Sequence, residues 1–174
     1  MRIYGVCGWK NSGKTGLMER LVTEIAGRGF SVSTVKHAHH AAEVDQPGTD
    51  SWRHRAAGAF QVVLASPVRV AVMEELRGAP EPGLADLLAR LEPCDLILIE
   101  GYKRESHPKI EAHRVATGHS LIAPGEASVR AVASDEPLVL DRPVFDLDDT
   151  ARIADFILAE VGLQGAGPRP PERR

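Results

Sequence analysis

Residues 8–15 read Gly-Trp-Lys-Asn-Ser-Gly-Lys-Thr and match G-x-x-x-x-G-K-[ST], the pattern of a phosphate-binding P-loop. The apolar residues 3–7 before it predict a buried strand, and residues 17–26 after it carry apolar side chains at helical spacing. A glycine-rich turn points backbone N–H groups inward as an anion-binding nest, and the following helix adds the positive end of its dipole. We therefore expect Lys14 to contact nucleotide phosphates and the Thr15 hydroxyl to contact Mg²⁺.

The composition is that of a globular protein with one domain. The chain has 174 residues, 43% hydrophobic and 26% charged, with a formal net charge of -3, which does not indicate binding to nucleic acid or to a membrane surface. Cys7 and Cys94 form no C-x-x-C pair and are expected to be thiols in a reducing compartment. The chain enters a strand almost at once, leaving no room for a signal peptide, so a cytoplasmic location is predicted.

The strand–helix–strand order at the start of the chain implies a parallel, right-handed crossover. It predicts an α/β fold of the P-loop NTPase type, with three layers and a mostly parallel central sheet. Two apolar runs, 60–65 and 68–73, are separated only by Ser66-Pro67 and predict an inserted antiparallel hairpin. We predict one nucleotide-binding domain over residues 1–163 and a disordered tail over 164–174. The remaining predicted elements are a strand at 30–36, a loop at 37–50, a helix at 51–57, a helix at 84–91, strands at 95–101, 109–115, 131–134 and 144–147, and a helix at 151–161.

Carboxylates that could complete a metal site follow two of these strands. Glu100 comes directly after four aliphatic residues, 96–99, which predict a central strand buried on both faces. A carboxylate at the end of such a strand is placed over the phosphates, where it would bind Mg²⁺ directly, bind it through water, or position water. Asp45 and Asp50 lie in the loop after the second strand, and each is read either as a Mg²⁺ ligand or as a turn and cap residue.

Two further clusters leave alternatives open. His37, His39 and His40 could bind a transition metal, or could form a loop that faces phosphate or a partner. Ser134 and Asp135 end an apolar strand and could read a nucleotide base, although a strand followed by a turn explains them as well.

Five segments in order carry a resemblance to a known family: residues 8–15, 35–40, 45–51, 98–103 and 131–135. Together they resemble the family of molybdopterin-guanine dinucleotide biosynthesis protein B, over roughly residues 1–162. The resemblance implies a dimeric P-loop GTP-binding protein of low GTPase activity. It would act beside the enzyme that joins GMP to molybdopterin, and molybdopterin is a further candidate ligand. Trp9 is unusually bulky for the loop. Lys10 is not at the second loop position, where some relatives carry a lysine that acts across the dimer.

The predicted function is a GTP-binding accessory protein of molybdenum cofactor biosynthesis, a weak Mg²⁺-dependent GTPase at most. Two alternatives remain: a small-molecule kinase with residues 102–125 as a lid, and a non-hydrolysing binding module switched by nucleotide. The resemblance implies that Lys14 and Thr15 bind phosphates and Mg²⁺ and that Glu100 takes the acidic role at the metal. Lys14 and Glu100 are therefore the predicted catalytic residues, and Thr15 and Glu100 the predicted metal ligands. Asp45 is a third predicted metal ligand because of its place in the loop. The predicted nucleotide-binding residues are Gly8, Lys10, Asn11, Ser12, Gly13, Lys14, Thr15, Gly16, Ser134 and Asp135.

Overall fold

The computed structural model describes residues 1–38 and 42–165. The chain divides into two compact units, Met1–His37 with Leu91–Arg174, and Ala38–Arg90. From residue 166 onward the predicted tail lies outside the described residues, and the single domain over 1–163 stays a prediction. The elements in chain order are β1 (Ile3–Cys7), α1 (Lys14–Gly27), β2 (Val32–Lys36), α2 (Asp50–Ala56), β3 (Gln61–Ala65), β4 (Val70–Glu74), α3 (Leu84–Leu88), β5 (Leu96–Glu100), β6 (Lys109–His113), β7 (Val129–Ser134), β8 (Val144–Asp146) and α4 (Thr150–Glu160).

The larger unit is built on a six-stranded sheet in the order β2-β5-β1-β6-β7-β8, with every pair parallel. The predicted P-loop NTPase-like α/β fold is therefore confirmed. All five residues of β5 are buried, and the strand lies between β2 and β1. An uninterrupted aliphatic run suits this position because an interior parallel strand is covered on both faces.

Both long helices belong to one hydrophobic core with the sheet. In α1 the buried side chains Leu17, Leu21 and Ile25 recur at intervals of four residues, and in α4 Ile153 and Ile157 do the same. These side chains join one cluster with residues of β1, β5, β6 and β7. Fully burying an aliphatic side chain of this size stabilises the fold by about 1.5–3 kcal/mol. This packing fixes the start of α1, and with it the P-loop, against the sheet.

In the smaller unit β3 and β4 pair antiparallel as a separate two-stranded sheet, which confirms the predicted hairpin. The Ser66 N–H donates to the Arg69 carbonyl at 2.8 Å, closing a turn through Pro67 and Val68. The second strand therefore begins at Val70 and not at residue 68. Several large apolar side chains of this hairpin are exposed within the described residues: Phe60, Val63, Leu64, Val68, Val70 and Val72.

No helix among the described residues is both long and apolar enough to cross a membrane. Cys7 and Cys94 are both free thiols. Burial is the main reason that the pKa of the Cys7 thiol is raised to about 12, so this thiol is unreactive near neutral pH.

Candidate functional site

The P-loop connects β1 to α1 through a backbone that turns sharply in three places. Gly8, Asn11 and Gly13 all have positive φ angles, of 146°, 64° and 89°. A Cβ atom at Gly8 would lie 2.4 Å from the Ala112 carbonyl oxygen of β6 and 2.5 Å from Ser12 Oγ. No side chain fits at that distance from a backbone oxygen. Glycine at position 8 is therefore needed for the loop to pass this close to the neighbouring strand.

Ser12 lies at the centre of this loop, and its side chain is only 2% exposed. Its hydroxyl has no hydrogen-bond partner within the described part of the chain. A buried hydroxyl without a partner costs about 1–3 kcal/mol, so such groups occur where something else satisfies them. The first N–H groups of α1 also lack partners inside the helix. These donors give the loop the chemistry of an anion-binding nest.

Lys14 folds back over the same loop. Its Nζ donates to the Trp9 carbonyl oxygen at 2.5 Å. The pKa of Lys14 is lowered, mainly because the amine is partly buried, and the nearby Glu100 carboxylate works against this shift. The amine thus lies within the loop, in contact with a backbone oxygen that a phosphate oxygen could replace as its acceptor.

Glu100 at the end of β5 lies beside the start of α1. The Thr15 hydroxyl donates to Glu100 Oε1 at 2.9 Å, and Lys36 Nζ lies 3.4 Å from Oε2. This contact arises because β5 pairs with β1, with Glu100 opposite Val6. A hydroxyl and a carboxylate are oxygen ligands of the kind that Mg²⁺ prefers, so the residues present fit that ion. The structure thus brings together Thr15 and Glu100, the two predicted metal ligands that belong to the larger unit.

Asp45, the third predicted metal ligand, belongs to the smaller unit, and its carboxylate is engaged there. It accepts hydrogen bonds from Ser51 Oγ and from Arg55 Nε, both at 3.1 Å. Arg55 also pairs with Glu75 at 2.6 Å and with Glu43. These contacts match the alternative in which Asp45 orders its own loop, and its binding of a metal stays a prediction.

Ser134 and Asp135 lie at the end of β7, and protein N–H groups already occupy both side chains. Ser134 Oγ accepts from the Glu136 N–H at 3.1 Å, and Asp135 Oδ1 accepts from the Val115 N–H at 3.0 Å. Both residues line an open cavity of about 290 Å³ together with Phe145. A cavity at the carboxyl edge of a parallel sheet is where ligands of such folds bind.

Trp9 has a structural role that the sequence did not reveal. Its indole N–H donates to the Ser120 carbonyl at 2.9 Å, and its ring stacks on His119 at 5.0 Å between centroids. Lys103 Nζ lies 3.9 Å from the centre of the same ring. Because Ser120 is 111 residues away along the chain, no local pattern could have predicted this contact. Trp9 thereby joins the P-loop to the segment that follows β6.

The remaining predicted site residues are three of the P-loop region and the three histidines. Lys10 and Asn11 are exposed, and Gly16 is the third residue of α1. His37 stacks on Tyr102 at 4.7 Å between ring centroids, whereas His39 and His40 lie outside the described residues. Where the structure is described, no group of three or more His, Cys, Asp or Glu side chains could hold a metal ion. Because His39 and His40 lie outside the described residues, a transition-metal site at these histidines stays a prediction.

The chain resembles known proteins over most of its length. The sequence profile of the MobB family, molybdopterin guanine dinucleotide synthesis protein B, matches residues 3–135. A molybdopterin-guanine dinucleotide biosynthesis adapter protein of Haemophilus influenzae is 42% identical over 158 residues, which cover 89% of this chain and 86% of the relative. The protein of the same description from Escherichia coli is 40% identical over 161 residues, covering 90% and 91% of the two chains.

Solved structures of MobB proteins also resemble this chain over most of its length. The crystal structure of a MobB homolog from Bacillus stearothermophilus is 31% identical, with a TM-score of 0.66 over 93% of this chain and 99% of the other. A structure of molybdopterin-guanine biosynthesis protein B is 30% identical, with a TM-score of 0.69 over 91% and 99% of the two chains.

Proposed function

Because this chain belongs to the MobB family, we propose that it is a GTP-binding adapter protein of molybdopterin guanine dinucleotide biosynthesis. The observation that carries the nucleotide part of the proposal is the contact between Thr15 and Glu100, 2.9 Å apart at the head of α1. It joins a P-loop hydroxyl to a carboxylate on the neighbouring strand, which is the pairing that a Mg²⁺–nucleotide site requires. The predicted adapter role agrees with the descriptions of both bacterial relatives.

Each residue of the loop has a proposed task. The unpartnered Ser12 hydroxyl and the backbone N–H groups at the start of α1 hold phosphate oxygens, and Lys14 exchanges its contact with the Trp9 carbonyl for one of them. Thr15 and Glu100 would hold Mg²⁺, which supplies charge neutralisation on the phosphates when it is bound. We propose that any GTP hydrolysis is slow, as the resemblance to the family implies.

We assign recognition of the base to Ser134 and Asp135. Both line the 290 Å³ cavity at the carboxyl edge of the sheet, on the same side as the P-loop. An aspartate carboxylate can accept two N–H groups, and guanine offers such a pair whereas adenine does not. Reading guanine would require Asp135 to share or give up its bond to the Val115 N–H.

We also propose that the protein acts as a homodimer in the cytoplasm, beside a guanylyltransferase partner, with molybdopterin as a further ligand. The hairpin supports the dimer. Val63, Val70 and Val72 lie on one face of it and are 61–65% exposed. Exposed apolar rows of this kind typically mark an interface between protein chains.

The test is calorimetric titration of the protein with GTP and with ATP, both in Mg²⁺, for the wild type and for Lys14→Ala. We expect GTP to bind more tightly than ATP, and the substitution to weaken GTP at least about a hundredfold, since it removes a charge-assisted contact to phosphate. Arg130→Ala serves as the control, because Arg130 is an exposed cation outside the loop that pairs with Glu160. Equal affinity of wild type and Lys14→Ala for GTP would refute the site, and a preference for ATP would refute the GTP assignment.

A further inference from the structure

Arg114 is a cation beside the P-loop that the nucleotide site does not yet use. It follows β6 directly, in extended backbone conformation with φ of -130° and ψ of 125°. Because β6 pairs in parallel with β1, with Glu111 opposite Cys7, the two strands end at the same edge of the sheet. Arg114 therefore leaves the sheet where the P-loop also leaves it.

The guanidinium of Arg114 packs on the glycine that opens α1. A Cβ atom at Gly13 would lie 3.0 Å from Arg114 Nε and 3.6 Å from its Cζ. The positive φ of Gly13, 89°, and the absence of a side chain there leave room for this approach. The arginine thus reaches the positive end of the α1 dipole, next to Lys14.

Two cations and a helix N-terminus close together repel one another unless an anion offsets them. Over the described residues no carboxylate lies within ion-pair distance of Arg114. Other arginines of the same unit have one: Arg28, Arg130 and Arg152 pair with Asp155, Glu160 and Asp149. Glu100 is the carboxylate near Lys14, and Lys36 already pairs with it, so among the described residues the charge of Arg114 is left without a counter-ion.

A second, independent feature of the same place indicates that the missing charge comes from a ligand. Ser12, the residue before Gly13, carries the buried hydroxyl that has no partner in the described structure. The Ser12 hydroxyl lies in the anion-binding nest, and the unpaired Arg114 guanidinium packs on the next residue, Gly13. Both require the same complement, a group rich in negatively charged oxygens.

We propose that Arg114 binds the phosphate chain of the nucleotide, as a further ligand-contacting residue of the P-loop site. This inference rests on the nucleotide binding proposed above and adds the residue that supplies the second positive charge. A guanidinium suits this role because its planar fork of N–H donors matches two phosphate oxygens at once. Two hydrogen bonds hold the backbone around Arg114 in place: the Val115 N–H donates to Asp135, and the Arg114 carbonyl accepts from the Thr117 hydroxyl.

The experiment is calorimetric titration of the full chain in Mg²⁺ with two probes, GTP and inorganic tripolyphosphate, which has phosphates but neither base nor ribose. The variants are Arg114→Ala and Arg114→Lys. The matched control is Arg130→Ala. Arg130 is an exposed arginine near the amino end of β7, away from the edge where the P-loop lies, and it pairs with Glu160. We expect Arg114→Ala to reduce the affinity for both probes about tenfold to a hundredfold. Arg114→Lys should reduce it less, because lysine keeps the positive charge and loses only the planar fork of N–H donors. Arg130→Ala should bind both probes as the wild type does.

The outcomes separate this inference from the function on which it rests. If wild type binds GTP and Arg114→Ala binds both probes equally well, the role of Arg114 is refuted and the nucleotide site stands. If Arg114→Ala weakens GTP but not tripolyphosphate, the arginine contacts base or ribose, and the phosphate assignment is wrong. If wild type binds neither probe, the proposed function fails and this inference with it. A thermal unfolding midpoint within a few degrees of wild type for Arg114→Lys ensures that a folded variant carries the comparison.

Discussion

The two ends of the proposed nucleotide site differ in how their polar side chains are occupied. At the P-loop, the Ser12 hydroxyl has no partner in the described structure, and Lys14 bonds only a carbonyl of its own loop. At the end of β7, Ser134 and Asp135 both accept hydrogen bonds from backbone N–H groups. The P-loop leaves the Ser12 hydroxyl and the Lys14 amine available to a ligand. At the end of β7, the polar side chains instead order the neighbouring loops. Nucleotide affinity should therefore depend more on the P-loop, and local stability more on Asp135.

The largest expected effect is that of Gly8→Ala. The added methyl would meet the Ala112 carbonyl oxygen at 2.4 Å and Ser12 Oγ at 2.5 Å, at a φ of 146° that alanine rarely adopts. Because the backbone of β6 cannot move aside without shifting the strand, we expect the free energy of unfolding to fall by about 3 kcal/mol. GTP binding should be lost as well, since the nest closes. Urea unfolding and calorimetry measure the two effects.

Gly27→Ala is the matched control for this prediction. Gly27 is the last residue of α1, and a Cβ atom there would meet nothing within 4 Å. We expect this variant to be as stable as wild type or up to about 1 kcal/mol more stable. Equal stability of Gly8→Ala and Gly27→Ala would contradict the tight passage of the loop beside β6.

A pH series on His107 tests whether an unpartnered buried group always indicates a ligand. His107 is 8% exposed, and neither ring nitrogen has a partner in the described structure. Burial, and then the charge of Lys109, lowers its pKa from 6.5 to about 4. The neutral ring is therefore favoured in the folded state. The contribution of the buried neutral ring to the free energy of unfolding is fully present above pH 6.5 and is lost as the pH falls towards 4. Between pH 7 and pH 5 the loss is about 2 kcal/mol.

The measurement is the difference in unfolding free energy between wild type and His107→Gln over that pH range. Glutamine does not titrate, so carboxylates that change protonation in both proteins cancel from the difference. A constant difference from pH 7 to pH 5 would mean that His107 has the same pKa in the folded and the unfolded protein, so that a partner offsets the burial of the ring. In that case His107 would differ from Ser12, whose hydroxyl has no partner in the described structure.

The smallest expected effect is that of Asp135→Ala, which removes the acceptor of the Val115 N–H. We expect a loss of about 1 kcal/mol in unfolding free energy, the usual contribution of one such hydrogen bond. Asp135→Asn keeps an acceptor and should be nearly as stable as wild type, yet should bind GTP less tightly relative to ATP. If Asp135→Asn leaves the GTP preference unchanged, the carboxylate serves the loop alone, and the contrast between the two ends of the site becomes complete.

The sequence predicted the larger unit well because its signals are local. The apolar run at 96–99 predicted a buried strand, and the regular spacing of Leu17, Leu21 and Ile25 predicted the buried side of α1. The placement of Glu100 followed from the same reasoning, since a carboxylate at the carboxyl end of an interior strand lies at the edge where the P-loop begins. Some bounds differ: the strand predicted at 30–36 begins at Val32, and in the smaller unit the helix predicted at 84–91 ends at Leu88. The turn of the hairpin is also shifted, because Ser66 and Arg69 close it and move Val68 out of the second strand.

The contacts of single side chains could not be predicted in this way. The bond from Trp9 to Ser120 and the packing of Arg114 on Gly13 join residues about 100 positions apart. Asp45 was read with two alternatives, and its bonds to Ser51 and Arg55 depend on how its own loop folds. Such choices depend on which rotamer and which neighbour lower the free energy together, and no periodicity in the sequence encodes them.

The sequence by itself determined the P-loop, the parallel α/β architecture and the family of this protein, because each depends on residue type and on spacing along a regular backbone. Tertiary structure alone decided which polar groups remain for a ligand. Within the described residues, Ser12 Oγ and the Arg114 guanidinium have no protein partner, while Ser134 and Asp135 accept hydrogen bonds. The physical reason is that a hydrogen bond or ion pair is decided by distances of a few ångströms between segments that only the folded core brings together.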